Sequence, residues 1–187
     1  TATRIAVQSA LDRGELAQAL LLLSDWYDDP ALTSEERTEV KTLLSQLAGT
    51  VIYSREPRLE APYIVQSGET LSDVAAKYNV PAALLAKING VADPNVLEPG
   101  QQLKVVRGPF SAIVDVSDRE MTLMLDHRYA GRFDIDIEPD FSVEDGQWLV
   151  DQKQIAPAGG YDAAASVDRS LVLANPASGG GQVAVVR

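Results

Sequence analysis

Between Tyr63 and Val106 the chain sets two helix starts, two helix stops and two flanking apolar runs, which leaves a small βααβ unit as its natural reading. Tyr63, Ile64 and Val65 form a short run of strand type, and Gln66-Ser67-Gly68-Glu69 supplies a turn. Thr70 is placed to cap a helix, with Asp73 three residues on, where the helix-start dipole favours a carboxylate. Leu71, Val74, Ala75 and Tyr78 recur at i, i+3, i+4 and i+7 and line one face of that helix, and Asn79 ends it. Pro81 opens a second helix where a missing N–H costs nothing. Leu84, Leu85 and Ile88 give this helix its buried face, and Asn89-Gly90 stops it. A loop through Asp93-Pro94-Asn95 and Pro99-Gly100 leads to a strand predicted over Gln102 to Val106.

In order and spacing this segment resembles a LysM module, whose family grips N-acetylglucosamine polymers. The resemblance implies a shallow sugar groove between two loops. The first is Ser67, Gly68, Glu69, Thr70 and Leu71; the second is Asn89, Gly90, Val91, Ala92, Asp93, Pro94, Asn95 and Val96. Backbone groups exposed by glycine-bearing loops suit an acetamido group, while Leu71 and Val96 are expected to offer apolar contact to its methyl. Glu69 stands where many family members carry Asp. A single module of this kind binds weakly, so further modules or subunits are expected to supply avidity.

Composition sets outer limits on partners. A net charge of −11 disfavours nucleic acid and a polybasic membrane surface, whereas a neutral glycan is compatible with it. The 187 residues, 45% of them apolar, are enough for a real core in one large or several small domains. The longest apolar run, around Leu20 to Leu23, falls far short of the roughly 20 residues a membrane span needs. The absence of cysteine excludes disulfides, thiolate metal sites and a cysteine nucleophile from the chain. Since the chain begins at Thr1, an export signal or anchor is expected upstream.

Residues 1–53 read as helical. Ile5, Val7 and Leu11 mark a first helix ending near Gly14, and Leu16, Leu20, Leu23 and Tyr27 mark a second, broken by Asp28-Asp29-Pro30. Thr33 with Glu36 spells a capping box ahead of a third helix with Val40, Leu43, Leu44, Leu47 and Val51 on one face. The stretch LDRGELAQALLLLSDWY resembles a tetratricopeptide helix pair, in which Gly14 and Ala19 would let the helices approach. Trp26 and Tyr27 are expected to anchor the core, with a partner surface as the alternative. Residues 54–62, rich in proline and charge, read as a linker, and the run Val51-Ile52-Tyr53 before it as an extended segment that could pair.

After Arg107-Gly108-Pro109 the period switches to two. Ala112, Val114 and Val116 share one face, then Met121, Leu123 and Leu125, then Tyr129, Phe133, Ile135 and Ile137, with Asp126-His127-Arg128 at a hairpin turn. Later strands are expected at Gln147 to Val150, Leu171 to Leu173 and Val183 to Val186. Entered by VVRGPFSAIVDVSDREMTLMLDHRYAGRFDIDI, residues 109 to about 175 resemble the first half of an L,D-transpeptidase catalytic domain, a β-sandwich that cross-links peptidoglycan through a cysteine acyl-enzyme. The similarity fades after Ile137, at Glu138-Pro139-Asp140, and the family's H-G-T and S-x-G-C-x-R segments are missing. A cysteine enzyme needs a thiolate and a base in reach, and the single histidine, His127, reads as a solvated turn residue.

The acidic series Asp134, Asp136, Glu138, Asp140, Glu144, Asp145 fails as an EF-hand, since Pro139 stands at the sixth position and Asp145 at the twelfth. No catalytic residue, metal site or cofactor is therefore expected. The predicted fold is α+β and multidomain: a helical region at 1–53, a linker at 54–62, a LysM-like βααβ module at 63–106, and a mainly antiparallel, sandwich-like β domain at 109–187. The predicted function is non-catalytic peptidoglycan binding in a bacterial cell envelope, periplasmic or extracytoplasmic, with envelope proteins as further partners. Two alternatives stand beside it: a transpeptidase whose catalytic segment follows Arg187, and an envelope scaffold whose sugar groove is idle.

Overall fold

The computed structural model describes residues 2–136, 146–156, 168–174 and 183–186. Among them are helices α1 (Ala2–Asp12), α2 (Leu16–Ser24), α3 (Ser34–Ala48), α4 (Leu71–Tyr78) and α5 (Ala82–Asn89). The strands are β1 (Tyr63–Ile64), β2 (Gln102–Leu103), β3 (Phe110–Asp115), β4 (Glu120–Leu125), β5 (Arg128–Asp134), β6 (Leu149–Ala156), β7 (Asp168–Ala174) and β8 (Val183–Val186). The chain is thus α+β, and it divides into two compact units: Thr1–Ile113 with Thr122–Arg132, and Val114–Met121 with Phe133–Arg187.

The first unit has one continuous apolar core. Leu20, Leu23, Leu44, Val51 and Ile52 from the helical region, Leu71, Val74, Leu85 and Leu103 from the βααβ segment, and Leu125 and Tyr129 all belong to it. The capping box at Thr33 forms as the sequence requires: its Oγ1 accepts from the Glu36 N–H at 3.2 Å, and its N–H donates to Glu36 Oε2 at 3.1 Å. Tyr27 does anchor the core, its hydroxyl 3.2 Å from Thr122 Oγ1 and its ring 6.1 Å from that of Tyr129.

Several local expectations are corrected. Ile5 is 72% exposed, so Val7 and Ala10 form the buried face of α1. Gly14 serves the turn and not close helix approach, because its φ is +71° and nothing lies within 4 Å of where a Cβ would stand. Val51-Ile52-Tyr53 is not extended; it completes a π-helical turn, Gly49–Tyr53, that continues α3 and buries Val51 and Ile52. β2 stops at Leu103, although Lys104, Val105 and Val106 remain buried. There a side chain takes over: the Lys104 backbone faces away from β1 in this register, and Asn89 Oδ1 accepts from its N–H at 2.7 Å while Nδ2 donates to its carbonyl at 2.9 Å, so both groups are satisfied without a strand partner.

β3, β4 and β5 lie in that order in one sheet. β4 and β5 are joined through Asp126 and His127, a connection short enough to require an antiparallel pair. His127 occupies that turn with its side chain 82% exposed, as expected of a solvated residue. The alternation along these strands is not clean. In β4 Thr122 and Leu125 are the buried residues, and Phe133 at the end of β5 is 51% exposed. Thr122 is tolerated inside because the Tyr27 hydroxyl meets its own.

In the second unit β6, β7 and β8 form an antiparallel sheet, with Leu149 opposite Ala174 and Leu171 opposite Val186. β6 runs six residues past the expected end at Val150, to Ala156, with a register shift between Val150 and Gln152. The turn after β3 is held by Asp115, whose Oδ1 accepts from the Ser117 and Asp118 N–H groups at 2.8 and 3.0 Å. Ile137, Glu138, Asp140, Glu144 and Asp145 lie outside the described residues. No described helix is long and apolar enough to cross a membrane.

Candidate functional site

The βααβ segment closes through β1 and β2, paired antiparallel with Tyr63 opposite Leu103 and Ile64 opposite Gln102. Between them α4 begins at the expected Thr70 cap, which the structure completes as a capping box with Asp73. Thr70 Oγ1 accepts from the Asp73 N–H at 3.3 Å, and Asp73 Oδ2 accepts from the Thr70 N–H at 2.8 Å. Both helices end left-handed, α4 at Asn79 with φ +53° and α5 at Gly90 with φ +66°.

One backbone bond brings the two loops together. The Leu71 N–H, left over at the start of α4, donates to the Pro94 carbonyl at 3.0 Å. The second loop is folded on itself by Asp93, whose Oδ1 accepts from the Asn95 N–H at 2.9 Å, and by the Val96 N–H donating to the Asp93 carbonyl at 3.2 Å. Ser67 and Gly68 are exposed at the tip of the first loop, and Gly90, Ala92, Asp93, Asn95 and Val96 are exposed along the second. Val91 and Pro94 are half-buried. Leu71 does not offer its side chain to a ligand, being fully buried as the first core residue of α4. Val96, 70% exposed, is the apolar group the loops present.

Glu69 is the keystone of the first loop. Its carboxylate accepts from the Gln66 N–H at 2.8 Å and from the Tyr63 hydroxyl at 2.8 and 2.9 Å, and it pairs with the Lys77 ammonium. Lys77 also donates to the Tyr63 hydroxyl at 2.7 Å. The extra methylene of Glu over Asp is what lets one carboxylate stay on the loop and still reach the α4 lysine. Lys77, with the Gln66 N–H second, holds the Glu69 carboxyl below its ordinary range, and the hydrogen bonds to Thr70 do the same for Asp73. Glu69 and Tyr63 in turn raise the Lys77 ammonium well above its usual value.

These directions fix a pH window. Depressed carboxylates contribute stability that is present above their unfolded values, about 4.3 for Glu and 3.9 for Asp, and lost as pH falls through the folded ones. Amide signals of Gln66 to Thr70 are therefore expected to broaden or shift below about pH 4 while those of α3 hold. Glu69→Gln should show the disturbed loop already at neutral pH. Retention of the native loop signals at pH 3 would contradict this account.

Asn89 and Gly90 sit beneath the second loop. The Asn89 Nδ2 donates to the Leu85 carbonyl as well as to that of Lys104, both at 2.9 Å. The Asn89 carbonyl accepts from Arg55 Nε at 3.0 Å. Asn89 thus serves the frame of the loop, with all its side-chain polarity committed, and the spacing of loop residues alone could not have indicated this. The stretch 54–62 carries structure too, since Leu59 packs against the core and Arg107 pairs with Glu60 at 3.2 Å.

Nothing in the sequence around Lys104 marks it as a special residue. It is 3% exposed, and its Nζ donates to the Val51 carbonyl at 2.6 Å, tying the π-helical turn to the end of the βααβ segment. Burial, aided by the Arg58 charge, pushes its ammonium down to about 8. The unfolded chain then holds the extra proton between about pH 8 and 10.4, so stability rises with pH in that interval. Unfolding free energy is expected to climb from pH 8 to 10 in the parent chain and to stay flat there in Lys104→Met. A parent profile as flat as the variant's would refute this.

Neither of two clefts found among the described residues lies between the loops. One, about 380 Å³, is lined by Arg55, Asn89 and residues 101–104 with Pro57 and Pro62. The other, about 220 Å³, opens between α1 and α3 beside Trp26. No three described His, Cys, Asp or Glu residues gather as a metal site.

The capped βααβ order, with its two loops bonded at Leu71 and Pro94, coincides with a match to the LysM domain family over residues 63–106. Residues 63–106 are a LysM domain. The match is confined to that segment and covers neither the helical region nor the strands beyond it. No curated protein matches the chain. Among solved structures the chain is similar to the crystal structure of MoCVNH3 variant (Mo0v) in complex with (N-GlcNAc)4, at 20% identity and a TM-score of 0.26. That likeness covers 39% of this chain, which spans about half of the other, at 53%. At such a TM-score it bears on neither fold nor ligand here.

Proposed function

We propose that the LysM domain binds an N-acetylglucosamine-containing glycan, peptidoglycan in a cell envelope, and that the chain does so without catalysing a reaction. LysM is a binding domain, and the family match over residues 63–106 is the observation that supports the reading. Residues 67–71 and 89–96 form the groove. Exposed backbone at Ser67, Gly68 and Ala92 meets the acetamido group, and Val96 covers its methyl. Leu71 and Asn89 hold the loops in place from behind, one through its backbone and one through its amide. In this reading residues 109–187 accompany the LysM domain as a β region without a transpeptidase's cysteine, and the location is extracytoplasmic.

Co-sedimentation with insoluble peptidoglycan is expected, and N-acetylglucosamine oligomers should shift the amides of residues 67–70 and 90–96. Val96→Asp places a charge against the methyl and should weaken oligomer binding about tenfold, roughly 1.4 kcal/mol, without altering the melting temperature of so exposed a site. Absence of any shift at millimolar oligomer would overturn the reading. Shifts confined to residues outside the two loops would overturn the groove.

A further inference from the structure

The 380 Å³ cleft behind the second loop differs in charge from the rest of the molecule. The chain carries a net −11, yet the residues lining this cleft include two cations, Arg55 and Lys104, and no carboxylate. Around them stand the amides of Gln101 and Gln102, with Asn89, whose own amide is committed to the frame, and Pro57 and Pro62 as walls. This is the composition of a ligand site: an adequate volume, a few convergent polar groups and one sign of charge. Among its neighbours Glu56 is already paired with Arg58, and Glu60 with Arg107 at 3.2 Å. Arg55 directs Nε and Nη2 to the Asn89 carbonyl, so Nη1 remains for a further acceptor.

The cleft adjoins the proposed sugar groove through one short piece of backbone. Asn89 lines it and also begins the second loop, and a Cβ added at Gly90 would stand 2.8 Å from Arg55 Nη2. We propose that this cleft takes a carboxylate, and that on a glycan strand held by the loops it takes the carboxylate borne by a neighbouring sugar's lactyl substituent. The second half rests on the groove reading above; the first half does not. A guanidinium with a free N–H, with the side-chain amides of Gln101 and Gln102 in the same cleft, recognises such a group by charge-assisted hydrogen bonds.

The test uses the full chain and three probes: the N-acetylglucosamine–N-acetylmuramic acid disaccharide with its free lactyl carboxylate, the same disaccharide as the lactyl amide, and N-acetylalanine. The acid is expected to bind about tenfold more tightly than the amide, the scale of one charge-assisted contact, and to shift the amides of residues 101–104. That advantage should vanish in Arg55→Gln. It should vanish also in Gln102→Glu, an exposed β2 position that leaves the Arg55 to Asn89 contact intact. If N-acetylalanine shifts the same amides, the cleft accepts a free carboxylate as well; if only the disaccharide acid does, the strand-borne group is the ligand. Equal binding of acid and amide with residues 101–104 unmoved would overturn the cleft and leave the groove standing. N-acetylalanine shifts at Gln102 without any sugar response at residues 67–70 would keep the cleft and overturn the groove.

Discussion

Asn89→Ala is expected to destabilise the chain by about 3 kcal/mol, because it strands two buried polar groups whose loss costs about 1–3 kcal/mol each. One side chain supplies an acceptor to the Lys104 N–H and donors to the Leu85 and Lys104 carbonyls. Alanine leaves the Lys104 N–H and carbonyl without these partners just past the end of β2, and takes from the Leu85 carbonyl its second donor. The variant's thermal midpoint should fall by about 10 °C, at roughly 2–4 °C per kcal/mol for a chain of this size. Asn89→Asp separates the parts, since it keeps the acceptor for Lys104 and loses both donors, and it should fall between parent and alanine. Because the second loop starts here, glycan binding measured on the alanine variant would report loss of frame and not of contact. A melting point within 2 °C of the parent would refute the role given to Asn89.

What the sequence made legible was what neighbouring residues decide among themselves. The capping boxes at Thr33 and Thr70 and the left-handed stop at Gly90 involve residues a few positions apart, and each formed as the pattern required. The order of β1, α4, α5 and β2 followed from those signals. β2 ends short of the expected Val106, and an amide 15 residues away satisfies the Lys104 backbone on the side away from β1, which no periodicity records. The π-helical turn escaped for a similar reason: Val51 reads equally well on a helix face or in a strand, and the Lys104 ammonium reaching its carbonyl settles it. At the site, loop membership was legible and the division of labour was not. Leu71, Glu69 and Asn89 appear in the sequence as loop residues, and only distances separate them from exposed Gly68 and Val96.

Tyr129→Ala should cost still more, about 3–5 kcal/mol for a large buried aromatic. Tyr129 is 1% exposed, its ring lies 6.1 Å from that of Tyr27, its hydroxyl is 3.3 Å from Ser45 Oγ, and its N–H donates to Ser24 Oγ at 2.9 Å. Those contacts run from β5 to α2, α3 and the turn after α2, and Tyr53 adds another by donating to the Ala130 carbonyl at 2.7 Å. The consequence reaches beyond one side chain. A chain cut after Arg107 would keep the whole LysM domain but strip Leu125, Tyr129 and Ala130 from the helical core, so it should melt below the full chain by more than Tyr129→Ala does. Tyr129→Phe provides the scale, because it preserves the ring and removes only the bond to Ser45, and about 1 kcal/mol is expected for it. If the truncated chain melted like the parent, the helices and the LysM domain would owe nothing to residues 122–132. The structure requires the opposite, since the core that supports the two loops is completed by strands that follow them in sequence.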